Sequence, residues 1–114
     1  MKSNEEITDF IRELKIAGSK RKLWKDIAAK LERSRANWAE VNVGHISKNL
    51  RAGEVALVPG KVLGNGKVNE SFRIAAISFS DSAYEKLLKS GCEAVTIKEL
   101  LSNNPDVKNV RIIG

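Results

Sequence analysis

Ile7, Phe10, Ile11 and Leu14 recur at intervals of three and four, which places them on one face of a helix. Ser3, with Glu6 three residues later, reads as a capping box at the start of that helix. Gly18 closes it, so the first helix is expected over about Asn4–Ala17. Trp24, Ile27, Ala28 and Leu31 repeat the same spacing and predict a second amphipathic helix, about Leu23–Arg33. Between them lies the short basic linker Gly18-Ser19-Lys20-Arg21-Lys22. The segment Ser34-Arg35-Ala36-Asn37-Trp38 then interrupts the periodicity with turn-forming residues and a second tryptophan.

Beyond that break the apolar runs shorten. Val41-Asn42-Val43 suggests a brief strand, and His45 to Leu50 a helical turn ended by Gly53. Val55-Ala56-Leu57-Val58 is a strand-like run that meets Pro59-Gly60. Val62-Leu63 follows and meets Gly64-Asn65-Gly66. This reads as strand, sharp turn, strand and a second tight turn, with Gly60, Gly64 and Gly66 as backbone-turn residues suited to positive φ. Phe72 to Phe79 is the strongest strand signal, and its unbroken apolar centre points to burial on both faces. Ser80 caps a helix to about Ser90 with Ala83, Tyr84, Leu87 and Leu88 inward. Ala94-Val95 suggests another strand. Thr96 and Glu99 form a further capping box, and Val110-Arg111-Ile112-Ile113 a last strand. Two leading helices followed by short strands alternating with helices make an α/β protein. A chain of 114 residues is expected to form a single domain, with leading helices and basic loop over 1–36 and a core over 37–114.

Charge adds a direction to this picture. The formal net charge is +6. Residues 1–51 hold twelve Lys or Arg against seven Asp or Glu, and residues 52–114 hold eight against seven. Nearly all the excess is therefore N-terminal, as a polyanionic partner would favour. Cys92 is the single cysteine, which excludes a disulfide framework and a Cys-rich zinc site and suits a reducing compartment. No stretch reaches the ~18 apolar residues of a membrane span. The polar, acidic start does not read as a signal peptide. A cytoplasmic protein with no membrane partner is expected.

Catalytic chemistry finds little support. His45 has no carboxylate or second imidazole at motif spacing, so a surface histidine is the simpler reading. Cys92 reads as a small buried hydrophobe. The glycines at 60, 64 and 66 do not match a nucleotide-binding loop, since no Lys-Ser/Thr and helix follow at the required spacing. Neither a cofactor nor a metal is expected. Nucleic acid fits better, because cations and bare amides bind phosphates and aromatic or guanidinium planes stack on bases. Three places supply such groups: Lys20, Arg21 and Lys22; Arg33 and Arg35 with Trp38; and Lys61, Asn65 and Lys67. Trp24 continues a helical stripe and belongs to the core, whereas Trp38 lies in a loop. Two other classes stay open on the residues alone. One is an enzyme for a phosphorylated small molecule, using the glycine turns as an anion site. The other is a protein-interaction module that uses its helical faces.

Val58-Pro59-Gly60-Lys61-Val62-Leu63-Gly64-Asn65-Gly66, followed by Ile74-Ala75-Ala76-Ile77-Ser78-Phe79-Ser80, closely resembles the L-eighteen-e family of large-subunit ribosomal proteins. The fifteenth large-subunit protein of bacteria is a relative of that family. Ala39-Glu40-Val41-Asn42-Val43-Gly44, Asn103-Asn104-Pro105 and Val110 to Ile113 extend the resemblance over essentially the whole chain. It implies a non-catalytic ribosomal component that binds large-subunit ribosomal RNA, acting as a monomer outside the ribosome and taking no small-molecule substrate. Neighbouring large-subunit proteins are the other implied partners, and the ribosome in the cytoplasm is the implied location. It also implies an irregular superhelix of β-β-α turns. Arg33-Ser34-Arg35 matches the family's basic segment and Lys61 matches directly, while Asn37 and Trp38 depart from the usual residues there. Arg111 joins the expected phosphate contacts.

Overall fold

The two apolar stripes of the N-terminal segment form the two helices expected of them. The computed structural model describes residues 4–114, and the chain falls into two compact units, Met1–Trp38 and Ala39–Gly114. The capping box read at Ser3 lies outside the described residues. In the first unit α1 spans Asn4–Gly18 and α2 spans Lys22–Leu31, joined by a turn in which Lys20 and Arg21 both donate backbone N–H to the Ala17 carbonyl. Phe10 and Leu14 of α1 are buried, as are Trp24, Ile27, Ala28 and Leu31 of α2. Trp24 is thus a core residue. Lys15 reaches Glu32 at 2.9 Å, a half-exposed pair of modest worth. A single 3-10 turn, Arg35–Asn37, follows α2.

The second unit is an α/β sheet. It contains β1 (Ala39–Asn42), α3 (Val43–Asn49), β2 (Val55–Leu63), β3 (Arg73–Phe79), α4 (Asp81–Lys89), β4 (Glu93–Thr96), α5 (Ile97–Asn103) and β5 (Val110–Ile112). All four strand pairings are parallel. β3 runs along one edge of β2 and itself pairs with β4. The other edge of β2 is shared: β5 pairs with Val55–Leu57, and β1 pairs with residues 60–63. β2 is therefore the axis of the unit, with its backbone paired on both edges, and it is buried from Val55 through Gly60.

The expected turn at Pro59-Gly60 does not form, and β2 passes straight through it. Pro59 has no N–H to give a ladder. It sits at the junction between the β5 and β1 segments, where the register with β3 also shifts between Val58 and Lys61. Three steps along β2 match two along β3 there, which is a bulge, the one place a central strand accepts proline. Gly60 does not have a positive φ. It is glycine because a Cβ would lie 2.0 Å from the Ala39 carbonyl oxygen and 2.8 Å from the Ala39 nitrogen on the adjoining strand. Val43 likewise opens α3 rather than ending a strand.

The helices cover the sheet as right-handed crossovers require. The links from β1 to β2 and from β3 to β4 advance in one direction across the sheet, so α3 and α4 lie on one face. Val43 and Ile46 of α3 and Ala83 and Leu87 of α4 pack there with Ala56, Val58, Val62, Ile74 and Ala76. The link from β4 back to β5 runs the other way, which puts α5 on the opposite face. Alternation sends Leu57 and Ala75 to that side, where Ile97, Leu100 and Val107 are also buried. Ile74, Ala75 and Ala76 are fully buried, so β3 is covered on both faces as its apolar centre foretold. Ser80 accepts from the Ala83 N–H and caps α4, and Thr96 with Glu99 forms the capping box of α5. The apolar pattern places Tyr84 and Leu88 inward, yet they are 44% and 52% exposed. α4 lies on the surface and buries only the narrow stripe of Ala83 and Leu87. Among the described residues no helix is long and apolar enough to cross a membrane.

Candidate nucleic-acid interface

In the first unit the basic residues gather at the two ends of α2. Lys20 and Arg21 occupy the turn that leads into it and Lys22 is its first residue, with Lys20 and Lys22 exposed. Arg33 and Arg35 follow its last turn and are exposed as well. Ten helical residues separate the two groups by about 15 Å at 1.5 Å per residue. They are two separate patches, spaced by the helix. Trp38 belongs to the second. Its indole Nε1 donates to the carbonyl of Leu31 at the end of α2 and to that of Arg33 just beyond it, each at 3.2 Å, giving an acceptor at the helix end a partner. The Arg35 guanidinium lies over the ring at 5.7 Å from its centroid, a cation–π contact. The ring thus fixes the course of the Arg33–Arg35 segment, and one of its faces is already occupied.

In the second unit parallel pairing brings the C-terminal ends of β1, β2 and β3 to one side of the sheet, and in open α/β sheets that is the side where ligands bind. Gly64-Asn65-Gly66-Lys67 leaves β2 there. Lys61, Asn65, Gly66 and Lys67 are exposed. The loop is held in detail. The Asn65 N–H donates to Asn42 Oδ1 at 3.2 Å, and the Gly44 N–H donates to the Asn65 carbonyl at 3.0 Å. Gly66 has φ +92 and lies so close to α3 that a Cβ would come within 2.6 Å of the Gly44 Cα. This is the turn glycine the sequence suggested. Gly64 differs: its φ is not positive, and its missing side chain makes room for Ser82, whose Oγ would be 2.1 Å from a Cβ.

Sequence reasoning missed Lys86. Its ammonium donates to the Gly64 carbonyl and, at 3.0 Å, to the Gly66 carbonyl. Its place three residues after the buried Ala83 is the one signal the sequence holds, since that spacing keeps it beside the buried stripe of α4. A lysine on a helix face otherwise reads as solvated. Asn42, a polar residue at a strand end, carries no pattern of its own.

Arg111 lies elsewhere. On β5 it pairs with the start of β2, and its Nε donates to Glu54 Oε1 and Oε2 at 2.9 and 3.1 Å. That bond, with the Arg51 backbone N–H, holds the Glu54 carboxyl below the usual carboxylate range, and Glu54 in turn raises Arg111. The Arg111 guanidinium therefore already has a carboxylate partner within the protein. A cleft of about 670 Å³ opens at the same end of the sheet, lined in part by Arg51, Glu54, Glu70, Arg73, Glu93 and Asp106. Its charges are mixed, and Arg73 already pairs with Glu93 at 3.0 Å. The structure does not bring Arg111 together with Lys61, Asn65 and Lys67.

Among the described residues the other titratable candidates, His45 and Cys92, carry no catalytic constellation. The imidazole of His45, exposed on α3, meets Asn49 at 3.3 Å. Cys92 is buried, with its Sγ 3.6 Å from the Glu70 carbonyl. Among the described residues no group of three or more His, Cys, Asp or Glu is placed to hold a metal ion.

Residues 19–95 match the family described as ribosomal proteins 50S-L15 and 50S-L18e together with their 60S counterpart. The chain is also similar, over nearly its full length, to proteins named large ribosomal subunit protein eL18. The one from Methanosphaerula palustris is 46% identical over 114 residues, covering 98% of this chain and 94% of the relative. Those of Methanospirillum hungatei and Methanothermobacter thermautotrophicus are 43% and 38% identical with the same coverage. The bulged, proline-bearing β2 and the pinned glycine loop at its end fall inside the matched segment, and on these grounds the chain belongs to the ribosomal protein family that unites 50S-L15 and 50S-L18e with their 60S counterpart.

Proposed function

We propose that this protein is a structural, non-enzymatic constituent of the large ribosomal subunit and that it acts by binding the subunit's RNA. The observation that carries this reading is the match across 98% of the chain to proteins named large ribosomal subunit protein eL18. The geometry supports it with exposed cations in each unit: Lys20 with Lys22 and Arg33 with Arg35 at the two ends of α2, and Lys61 with Lys67 in the second unit. Basic patches carried by helix ends and sheet edges suit the phosphates of a folded RNA. Such binding works through charge and shape, stiffening the RNA and needing no base code. Gly60 and Gly64 serve it indirectly, by packing β2 and its loop tightly. Trp38 serves it by orienting Arg33 and Arg35. The proposed setting is the cytoplasmic ribosome, with neighbouring large-subunit proteins as further partners and a monomer when free. Arg111, paired to Glu54, is assigned a structural role in preference to a phosphate contact.

The test is gradient sedimentation of a growing-cell extract with the protein detected by antibody. It is expected in the large-subunit, whole-ribosome and polysome fractions, and to be released at high salt. Recovery only at the top of the gradient would overturn the assignment.

A further inference from the structure

Three successive carbonyls of the loop after β2 are turned onto the protein. Those of Gly64 and Gly66 accept from Lys86 Nζ, and that of Asn65 accepts from the Gly44 N–H. All peptide bonds here are trans, and a planar trans peptide holds its N–H opposite its C=O. Each of these carbonyls therefore sends the next residue's amide away from its own partner: that of Asn65 away from Lys86, that of Gly66 away from Gly44 and that of Lys67 away from Lys86. The first, Asn65, donates to Asn42 Oδ1. The next two, Gly66 and Lys67, donate to no acceptor among the described residues. Gly66 is left-handed, at φ +92, and its Cα rests on Gly44, so it brings no side chain of its own to shield them. Successive amides beside a left-handed residue form an anion-binding concavity.

We infer that Lys86 is the positioning residue of a phosphate clasp made by the backbone N–H groups of Gly66 and Lys67, with the Lys67 ammonium beside it. The inference rests on the RNA-binding reading above and specifies how one patch works. Two of the three protons of the Lys86 ammonium go to the loop carbonyls. Its contribution is the direction of the amides; the phosphate itself lies on the clasp. The ligand is a phosphodiester of ribosomal RNA.

The test uses the full chain with Lys86→Met, which keeps the apolar stem, and Lys86→Arg, which keeps the donors. Binding to a transcript of the large-subunit RNA is followed over a range of salt, alongside amide NMR spectra during titration with inorganic phosphate. Lys86→Met is expected to weaken RNA binding by about tenfold while leaving the slope of log K against log salt within about half a unit of wild type, because the Lys86 ammonium bonds the loop carbonyls and neutralises no phosphate itself, so that the lost phosphate contacts are amide hydrogen bonds. Lys86→Arg is expected to restore most of the affinity. In wild type the Gly66 and Lys67 amide signals should shift with phosphate, and in Lys86→Met they should not. Unchanged affinity in Lys86→Met, or a slope reduced by about 0.7–0.9 as for a direct phosphate contact, overturns the clasp and leaves the RNA-binding reading intact. Failure of the wild-type chain to bind the transcript counts against that reading itself, and the phosphate titration then decides the loop on its own.

Discussion

Gly60 shows how one residue sets the geometry of the site. Its neighbour across the β1–β2 pairing is Ala39, and the backbone of Ala39 fills the space where a Cβ would go. Backbone in a paired strand cannot swing aside as a side chain can. Gly60→Ala is therefore expected to part β1 from β2 or to strain both, at about 2–3 kcal/mol, within the range of overpacked cores. Gly53 is the natural control. It has φ +83 with nothing within 4 Å of a Cβ, so Gly53→Ala meets only the left-handed penalty of about 1–2 kcal/mol. Urea denaturation of both variants separates the two causes. A smaller loss at Gly60 than at Gly53 would remove the steric account. The sequence alone suggested a turn at Gly60, because Pro-Gly marks turns locally. The reason it is not a turn is its pairing with Ala39, on a strand far back in the chain, and no local pattern reports that.

The elements were largely legible where periodicity and capping speak together. The stripes of α1 and α2, the Ser80 cap of α4, the Thr96–Glu99 box of α5 and the doubly buried β3 were all readable, because each depends on residues within a few positions. The joining of the two halves of β2, and the sharing of its far edge by β1 and β5, depend on long-range pairing and were not. The candidate site divides the same way: its exposed cations were visible as charge, but Lys86 and Asn42 act on a loop about twenty positions away. Trp38, expected from its loop position to contact RNA, also has a place in the element. Its Nε1 closes the end of α2, so Trp38→Phe keeps an aromatic face while removing the donor. This variant is expected to lose about 1 kcal/mol of stability, the net worth of a hydrogen bond, and to retain RNA binding to the extent that Arg33 and Arg35 keep their course. Trp38→Ala should weaken both. If Trp38→Phe melts like wild type but binds RNA poorly, the indole acts on the RNA directly and the capping account fails.

At the scale of the whole molecule the second unit is polarised. One end of the sheet carries Lys61, Lys67 and the pinned glycine loop, and the other carries mixed charges in pairs. The Glu54–Arg111 pair at that other end ties residues 57 positions apart and fastens β5 to the start of β2. Its effect on folding depends on pH with a definite sign. The folded state holds the Glu54 carboxyl below its ordinary range, so the unfolded chain takes up the proton first as pH falls. The stabilisation is therefore complete above the ordinary glutamate range, and it is lost as pH falls through the lower folded-state value. Arg111 stays charged throughout and contributes no window of its own. Glu54→Gln removes this linkage while keeping the shape of the side chain. Thermal melts of the two proteins from neutral pH downward should show wild type the more stable at pH 7, with the gap closing as the solution becomes acidic. RNA binding at pH 7 should be the same in both, because the pair sits at the end of the sheet away from the loop. A gap that is constant with pH would show that Glu54 contributes by packing, and a loss of RNA affinity in Glu54→Gln would show that the two ends of the sheet are not independent.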